Sequence, residues 1–563
     1  MPPIERPPGD LNVARLHVAQ SAFFNSKRDK PMNRQIWSAT LAALLAACSK
    51  APDTASAPPP KASAPASHAT AGVAWVKPDG ASLDAVFARA KTENKPVFLY
   101  WGAVWCPPCN QIKATVFPRP DFIERSRSFI PVYLDGDTPG AQKLGTQFKV
   151  RGYPTTILFS PEGTELTRLP GEVDARQFMQ VLQLGMNATQ PIKQTLAAAT
   201  SDQAGAVSAE GWRMLAYYAW DTDESQLLPK KEATATVEKL AQACPAQHAG
   251  VRARLGVRAV ALAGQNQQAL TDKPQALAAL RSVLGDATLT HDNADLLTNY
   301  ARELVSTLTA AGGPDRAELH SALLAALERI ASDQQLSNLD RLGAVQAKVD
   351  LAQMDQPDGS KPHVPPELVA QVKQLAAQMD QSITDKYERQ SVMPNVAHLL
   401  TAVGELDASD ALMQAELPKA VSAYYHMLVL ASTAKARGDK VTALDWAEKA
   451  YAGSLGPATR LQWGSGFVNK LIEMAPQDPA RIEKVASQVI GELDPAPETF
   501  YERNRRSLEK MGLQLQAWGK ANKQGAVVAR LVKQLDAVCA KLPEGDEARV
   551  ACKGALVPKA TKT

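Results

Sequence analysis

The sequence predicts an α/β layer domain followed by an all-α helical array that takes up the rest of the chain. Three observations carry this reading. Strand-like and helix-like patterns alternate over 72–184. From about 190 that alternation stops, and alanine, leucine and glutamine recur with helical periodicity. Within the first region a Cys-x-x-Cys, Cys106-Pro107-Pro108-Cys109, stands where an apolar strand runs into a helix. At 563 residues the chain is also too long for a single core.

The elements follow in order. Residues 83–90 read as a helix and 97–101 as a buried strand, with a helix over 110–116 behind the cysteine pair. A second strand covers 129–134, a helix 141–148, and a third strand 156–159 that ends at the turn Pro161-Glu162-Gly163. A short strand at 165–169 and a helix at 175–184 close the unit. In the array, 231–243, 275–284, 317–330, 368–380 and 524–540 are the clearest helices. The window 427–451 has Leu430-Ala431, Gly438-Asp439, Ala443 and Ala450 at tetratricopeptide offsets. No second copy follows at a period of about 34 residues, so the expectation is stacked helical hairpins, with a tetratricopeptide-like solenoid as one form.

Two thiols at this spacing lie about one turn apart at a helix N-terminus. The partial positive charge and unpaired N–H groups there stabilise a thiolate on Cys106. Zinc would need a second Cys or His pair at metal spacing, and none appears. Haem attachment would need His after the second cysteine, where Asn110 stands. Redox exchange is therefore the favoured chemistry, with no metal and no cofactor expected. The net charge of +4, with lysine and arginine widely spread, gives no reason to expect nucleic acid as a partner.

The N-terminal region bears on compartment. From Met32 a short basic segment precedes an apolar run at 36–47 that is too short to span a bilayer, and Leu45-Ala46-Ala47-Cys48 follows. This resembles the lipobox of bacterial lipoproteins, which implies lipidation at Cys48. The Pro/Ala/Ser-rich stretch after it then reads as a tether. Ser49 rather than Asp after the cysteine implies the outer membrane of a Gram-negative cell. The expected organisation is an over-extended start at 1–31, signal peptide at 32–48, tether at 49–72, α/β domain at 73–187 and helical region at 190–563.

The segment Phe148-Lys149-Val150-Arg151-Gly152-Tyr153-Pro154-Thr155-Thr156 resembles the cis-proline loop of the thioredoxin superfamily. With Trp105 to Cys109 and the turn at Glu162-Gly163, the resemblance covers 73–187. It implies a thioredoxin-like fold with a central mixed sheet flanked by helices. It also implies Cys106 as nucleophile, Cys109 as resolving thiol, and a substrate groove formed by Trp105, Pro107, Pro108, Tyr153 and Pro154. Trp105 is expected as an exposed docking surface and Trp101 as core. Thioredoxins carry a buried aspartate where Tyr100 stands here, and a phenol is a poor base at neutral pH. Asp135 and Asp137 are the substitutes considered.

The function expected is an extracytoplasmic, membrane-anchored thiol–disulfide oxidoreductase that reduces exported proteins and is recharged by a membrane electron donor. The alternatives are a helical-repeat scaffold with a thioredoxin-like docking or redox-sensing module, or a dedicated thiol donor in cytochrome c or copper-site maturation. In an oxidising compartment Cys539 and Cys552 are expected to form a structural disulfide. Cys244 is expected as a buried apolar residue, His398 and His426 as structural, and the charged run 502–506 as a solvated helix face.

Overall fold

A computed structural model describes residues 72–78, 82–150, 152–171, 173–220, 227–356 and 363–557. Cys48 and the signal peptide and lipobox expected at 32–48 lie outside the described residues.

A four-stranded sheet of order β2-β1-β3-β4 organises the first domain: β1 (Val97–Gly102), β2 (Ile130–Asp135), β3 (Thr155–Phe159) and β4 (Glu165–Leu169). β1 runs parallel to β2 and antiparallel to β3, and β4 returns antiparallel to β3, so the sheet is mixed. All six residues of β1 are buried, as an unbroken apolar run covered on both faces requires. Phe98 at its centre meets Phe122, Phe129 and Phe178 edge-on or stacked. Helices α1 (Asp84–Glu93), α2 (Pro107–Thr115), α3 (Pro120–Arg125), α4 (Pro139–Gln147) and α5 (Ala175–Met186) flank the sheet.

α2 starts three residues before its expected position. Pro107 and Pro108 occupy the first helical positions, where a missing N–H costs nothing because it would have no intrahelical partner. The short α3 had no periodic signal of its own and starts at Pro120 in the same way.

From Ile192 onward the described residues contain helices and no strand. Neighbouring helices pack as antiparallel pairs, as in Ala423–Ala436 and Lys440–Gly453, joined at Gly438 with φ of 80°. Arg254 is buried in the array, bonded to Asp295 at 2.7 Å and seated 3.9 Å above the Tyr217 ring. One apolar core runs without a break from the sheet through most of the array, and a second lies between Leu342 and Leu430. Among the described residues no helix is long and apolar enough to cross a membrane.

A buried dithiol site between the sheet and the array

Cys106 is the N-cap of α2. Its backbone is extended (φ −70°, ψ 118°), and its Sγ accepts the N–H of Cys109 at 3.2 Å. Cys106 and Cys109 are joined as a disulfide with Cα atoms 5.2 Å apart. Once the pair is reduced, the sulfur that the N–H groups of the first turn approach is the one whose anion they stabilise. Asn110, buried behind the pair, donates through Nδ2 to the carbonyls of Val104 (2.8 Å) and Cys106 (2.9 Å), pinning the loop to the helix.

Tyr100 on β1 donates its hydroxyl to the Cys109 carbonyl at 3.1 Å. Burial holds its phenol well above the ordinary range, so it acts here as a donor and not as a base. Asp137 takes a different place. Its carboxylate accepts from the Trp105 indole N–H at 3.1 Å, the same N–H that reaches Thr459 Oγ1. Burial raises its pKa to about 6.

The peptide bond between Tyr153 and Pro154 is cis, and both residues are buried. The Tyr153 ring meets Trp105 edge-on with centroids 5.9 Å apart, which brings the proline loop beside the cysteine loop. Its hydroxyl donates to the Gly136 carbonyl at 3.2 Å. A side chain at Gly136 would collide with the Tyr153 and Trp101 rings, so glycine is what allows this approach. The fully buried Arg168 braces the same loop from behind, donating to the carbonyls of Phe148 and Lys149 and pairing with Glu165.

Two expectations are corrected. Trp105 is not an exposed docking surface. It is fully buried, stacked on Tyr425 at 6.0 Å, edge-on to Trp463 at 4.9 Å, and donating to Thr459 Oγ1 at 2.9 Å. The run 502–506 is not a solvated face either. Arg503 lies over the rings of Trp105 (5.1 Å) and Tyr153 (5.8 Å), and buried Asn504 donates to Gln142 at 3.1 Å. Aromatic rings attract a guanidinium, and the arrangement uses that to close the site. On the other side α2 packs against the helix Lys386–Ala402, and Gln111 donates to Ser337 Oγ at 2.9 Å. Cys106 is left only 1% exposed.

Tyr425, Thr459, Trp463 and Arg503 complete the site but carry no motif. Thr459 lies 354 positions from Trp105, and no local pattern links the two. Elsewhere, Cys539 and Cys552 are bonded, with Cα atoms 5.7 Å apart. Cys244 is buried and unbonded, and burial pushes its thiol up to about 11. His426 is buried and His398 partly so, and desolvation holds both neutral, each lowered to about 4.

Residues 83–185 match the family model of a thioredoxin-like domain. Over 103 residues the chain is 36% identical to the thiol:disulfide interchange protein DsbD 2 of Pseudomonas aeruginosa, covering 18% of each chain. It is 32% identical over 104 residues to the thiol:disulfide interchange protein DsbD of Pseudomonas fluorescens, again 18% of each. Against the thiol:disulfide interchange protein DsbD of Yersinia pestis the identity is 33% over 105 residues, 18% of this chain and 17% of that one. The chain thus spans less than a fifth of the length of these curated relatives. Sequence, sheet and cysteine pair agree that 83–185 is a thioredoxin-like domain with a dithiol at the head of α2.

Proposed function

We propose that this chain is a thiol–disulfide oxidoreductase working outside the cytoplasm, held to the outer membrane through lipid on Cys48, and that it reduces disulfides of exported proteins. The observation that carries this is the Cys106–Cys109 pair at the N-terminus of α2 beside cis-Pro154 in a thioredoxin-like domain. The relatives' printed names, all thiol:disulfide interchange proteins, support exchange with protein disulfides.

In the reduced state the Cys106 thiolate attacks one sulfur of a client disulfide, and the other client sulfur leaves as thiolate. Cys109 then loses its proton and attacks the Cys106 sulfur. The Cys106–Cys109 bond forms, the mixed disulfide breaks, and the client departs with two electrons and, after protonation, two thiols. The structure holds the pair oxidised, the state that a membrane electron donor would reset. Tyr153 and Pro154 would present backbone to an extended client segment once the array moves off them.

The full chain with dithiothreitol should reduce insulin, and Cys106→Ser should abolish this. Cys109→Ser should accumulate mixed disulfides with periplasmic clients. Cys48→Ala should end fatty-acid labelling and release the protein from the membrane. If the wild-type chain fails to reduce insulin, the oxidoreductase reading fails. One observation favours a second reading: the array covers the dithiol. The thioredoxin-like domain would then be a docking or redox-sensing module of a helical scaffold. Client capture that survives Cys106→Ser would support it.

A further inference from the structure

Arg503 reaches the dithiol from the far end of the array. It is the second residue of the helix Glu502–Ala521, and its guanidinium lies over the rings of Trp105 at 5.1 Å and Tyr153 at 5.8 Å. These are the residues immediately before Cys106 and before cis-Pro154. The placement runs against the needs of the helix that carries it. A helix N-terminus bears partial positive charge and favours acidic side chains, yet Arg503, Arg505 and Arg506 stand at its start. Burial lowers the Arg503 pKa, but a guanidinium stays protonated inside proteins, so a permanent cation is held here largely out of water.

Asp137 and the phenols of Tyr153 and Tyr425 face this cation, and the like charge of Arg506 opposes them. Asp137 answers it only at a distance. Its carboxylate is bonded to Trp105, and one carboxylate oxygen and one guanidinium nitrogen of Arg503 have no hydrogen bond. The other charged groups around α2 are engaged elsewhere. Lys113 lies over the rings of Tyr133 and Tyr387 and faces Asp135, and Asp340 meets α2 at Gln111, past the cysteine pair. On Lys386–Ala402, packed against α2, Arg389 pairs with Asp380 and Glu416, Glu388 accepts from Asn338, and His398 is neutral. Burial keeps the phenol of Tyr100, under Cys109, neutral as well.

The disulfide itself carries no charge. Reduction by a dithiol adds two electrons, breaks the S–S bond and, with one proton taken up, leaves a Cys106 thiolate beside a Cys109 thiol. The new anion appears on the residue after Trp105, whose ring the guanidinium covers, in a site closed to water. Opposite charges attract more strongly there than in bulk water. The cation is therefore answered best when the pair is reduced. We propose that Arg503 is a positioning residue of the dithiol: the array delivers its charge to stabilise the Cys106 thiolate and so favours the reduced pair. This rests on the exchange reading of the site, and it gives the array a part in the chemistry as well as in covering it.

The test is the ultraviolet thiolate absorbance of the full chain against pH, in a Cys109→Ser background, with the signal of Cys106→Ser/Cys109→Ser subtracted. Arg503→Met should raise the Cys106 midpoint by about one unit, the lower end of what an opposite charge contributes. Arg503→Lys keeps the charge and should raise it by less than half as much. Asp137→Asn removes the facing negative charge and should lower the midpoint. Thr459→Val leaves every charge in place and should not move it. With both cysteines present, Arg503→Met should shift the equilibrium with a dithiothreitol redox buffer up to about tenfold towards the disulfide, since one unit is tenfold. Near-UV circular dichroism checks each fold, and a misfolded Arg503→Met leaves Asp137→Asn to decide. An unchanged midpoint in a folded Arg503→Met overturns the proposal, as does any result but a fall in Asp137→Asn. So do equal shifts for the two Arg503 variants or for Thr459→Val, which would make the role one of packing. No client enters these measurements, so a failure to reduce insulin and a failure of this proposal are told apart.

Discussion

The two disulfides among the described residues are equally buried, yet they sit at opposite ends of their helices. Cys106 caps the N-terminus of α2, and Cys539 is the last residue of Gly525–Cys539. Cys552 lies in the final turn of Glu547–Gly554. A helix N-terminus favours a thiolate and a C-terminus disfavours one, so the same bond has opposite lability in the two places. Their burial also differs in origin. Cys539 and Cys552 sit on two consecutive helices that pack against each other and against the neighbouring helices Pro479–Gly491 and Glu502–Ala521 of the same array. Cys106 is covered by side chains from a distant part of the chain, where Tyr425, Trp463 and Arg503 close over the neighbouring Trp105. Helix polarity and the source of burial separate the working disulfide from the structural one, whereas exposure does not.

The largest effect that would break this comparison is on activity. Cys106→Ser should remove insulin reduction by the full chain completely. The double variant Cys539→Ser/Cys552→Ser should keep most of it at 25 °C. Comparable losses in both would mean that helix polarity does not assign the roles. The next effect is on stability. The Cys539–Cys552 bond closes a 13-residue separation, and removing it should cost about 3 kcal/mol, read from urea unfolding of the C-terminal helices. Stepwise reduction followed by thiol labelling should modify Cys106 and Cys109 well before Cys539 and Cys552.

A third effect is set by Asp137, which sits under the cover. Its pKa is raised from the usual carboxylate value to about 6 by burial. The folded protein therefore holds this proton more tightly than the unfolded chain. The stability it contributes is complete below about pH 4 and is lost as pH rises through about 6. A shift of that size corresponds to at most about 3 kcal/mol. Asp137→Asn should flatten this part of the pH–stability profile, measured by denaturation between pH 4 and 7. An unchanged slope would show that the carboxyl is not held in this environment.

The dithiol and its fold were legible because their determinants are local. The strand patterns, the two prolines after Cys106 and the Tyr153-Pro154 segment each act within a few residues of where they are read. Alanine-rich periodicity likewise disclosed the helices of the array, since one buried stripe per helix is enough to specify it. Thr459, Trp463 and Arg503 could not be assigned that way. Their role comes from packing against Trp105, and a Trp or Arg on an amphipathic helix looks the same whether it faces solvent, a core or another domain. The charged run at 502–506 misled for this reason: a guanidinium can cover an aromatic ring as readily as it can face water.

The smallest effect bears most directly on how the cover works. The Trp105 indole N–H is shared between Asp137 and Thr459, so Thr459→Val removes one acceptor and leaves the other. The β-branched shape is kept, and the loss is confined to a hydrogen bond across the interface, worth about 1 kcal/mol. If the array lifts from the dithiol as a unit, that energy appears as a shift in a closed–open equilibrium rather than in the fold of either unit. Alkylation of reduced Cys106 by iodoacetamide should speed up about fivefold, since 1.4 kcal/mol is tenfold. Labelling of reduced Cys539 should not change, because its cover does not involve Thr459. If both rates rise together, the variant has loosened the whole molecule, and the two kinds of burial are not distinct. If only Cys106 responds, the array is a separable cover over the dithiol.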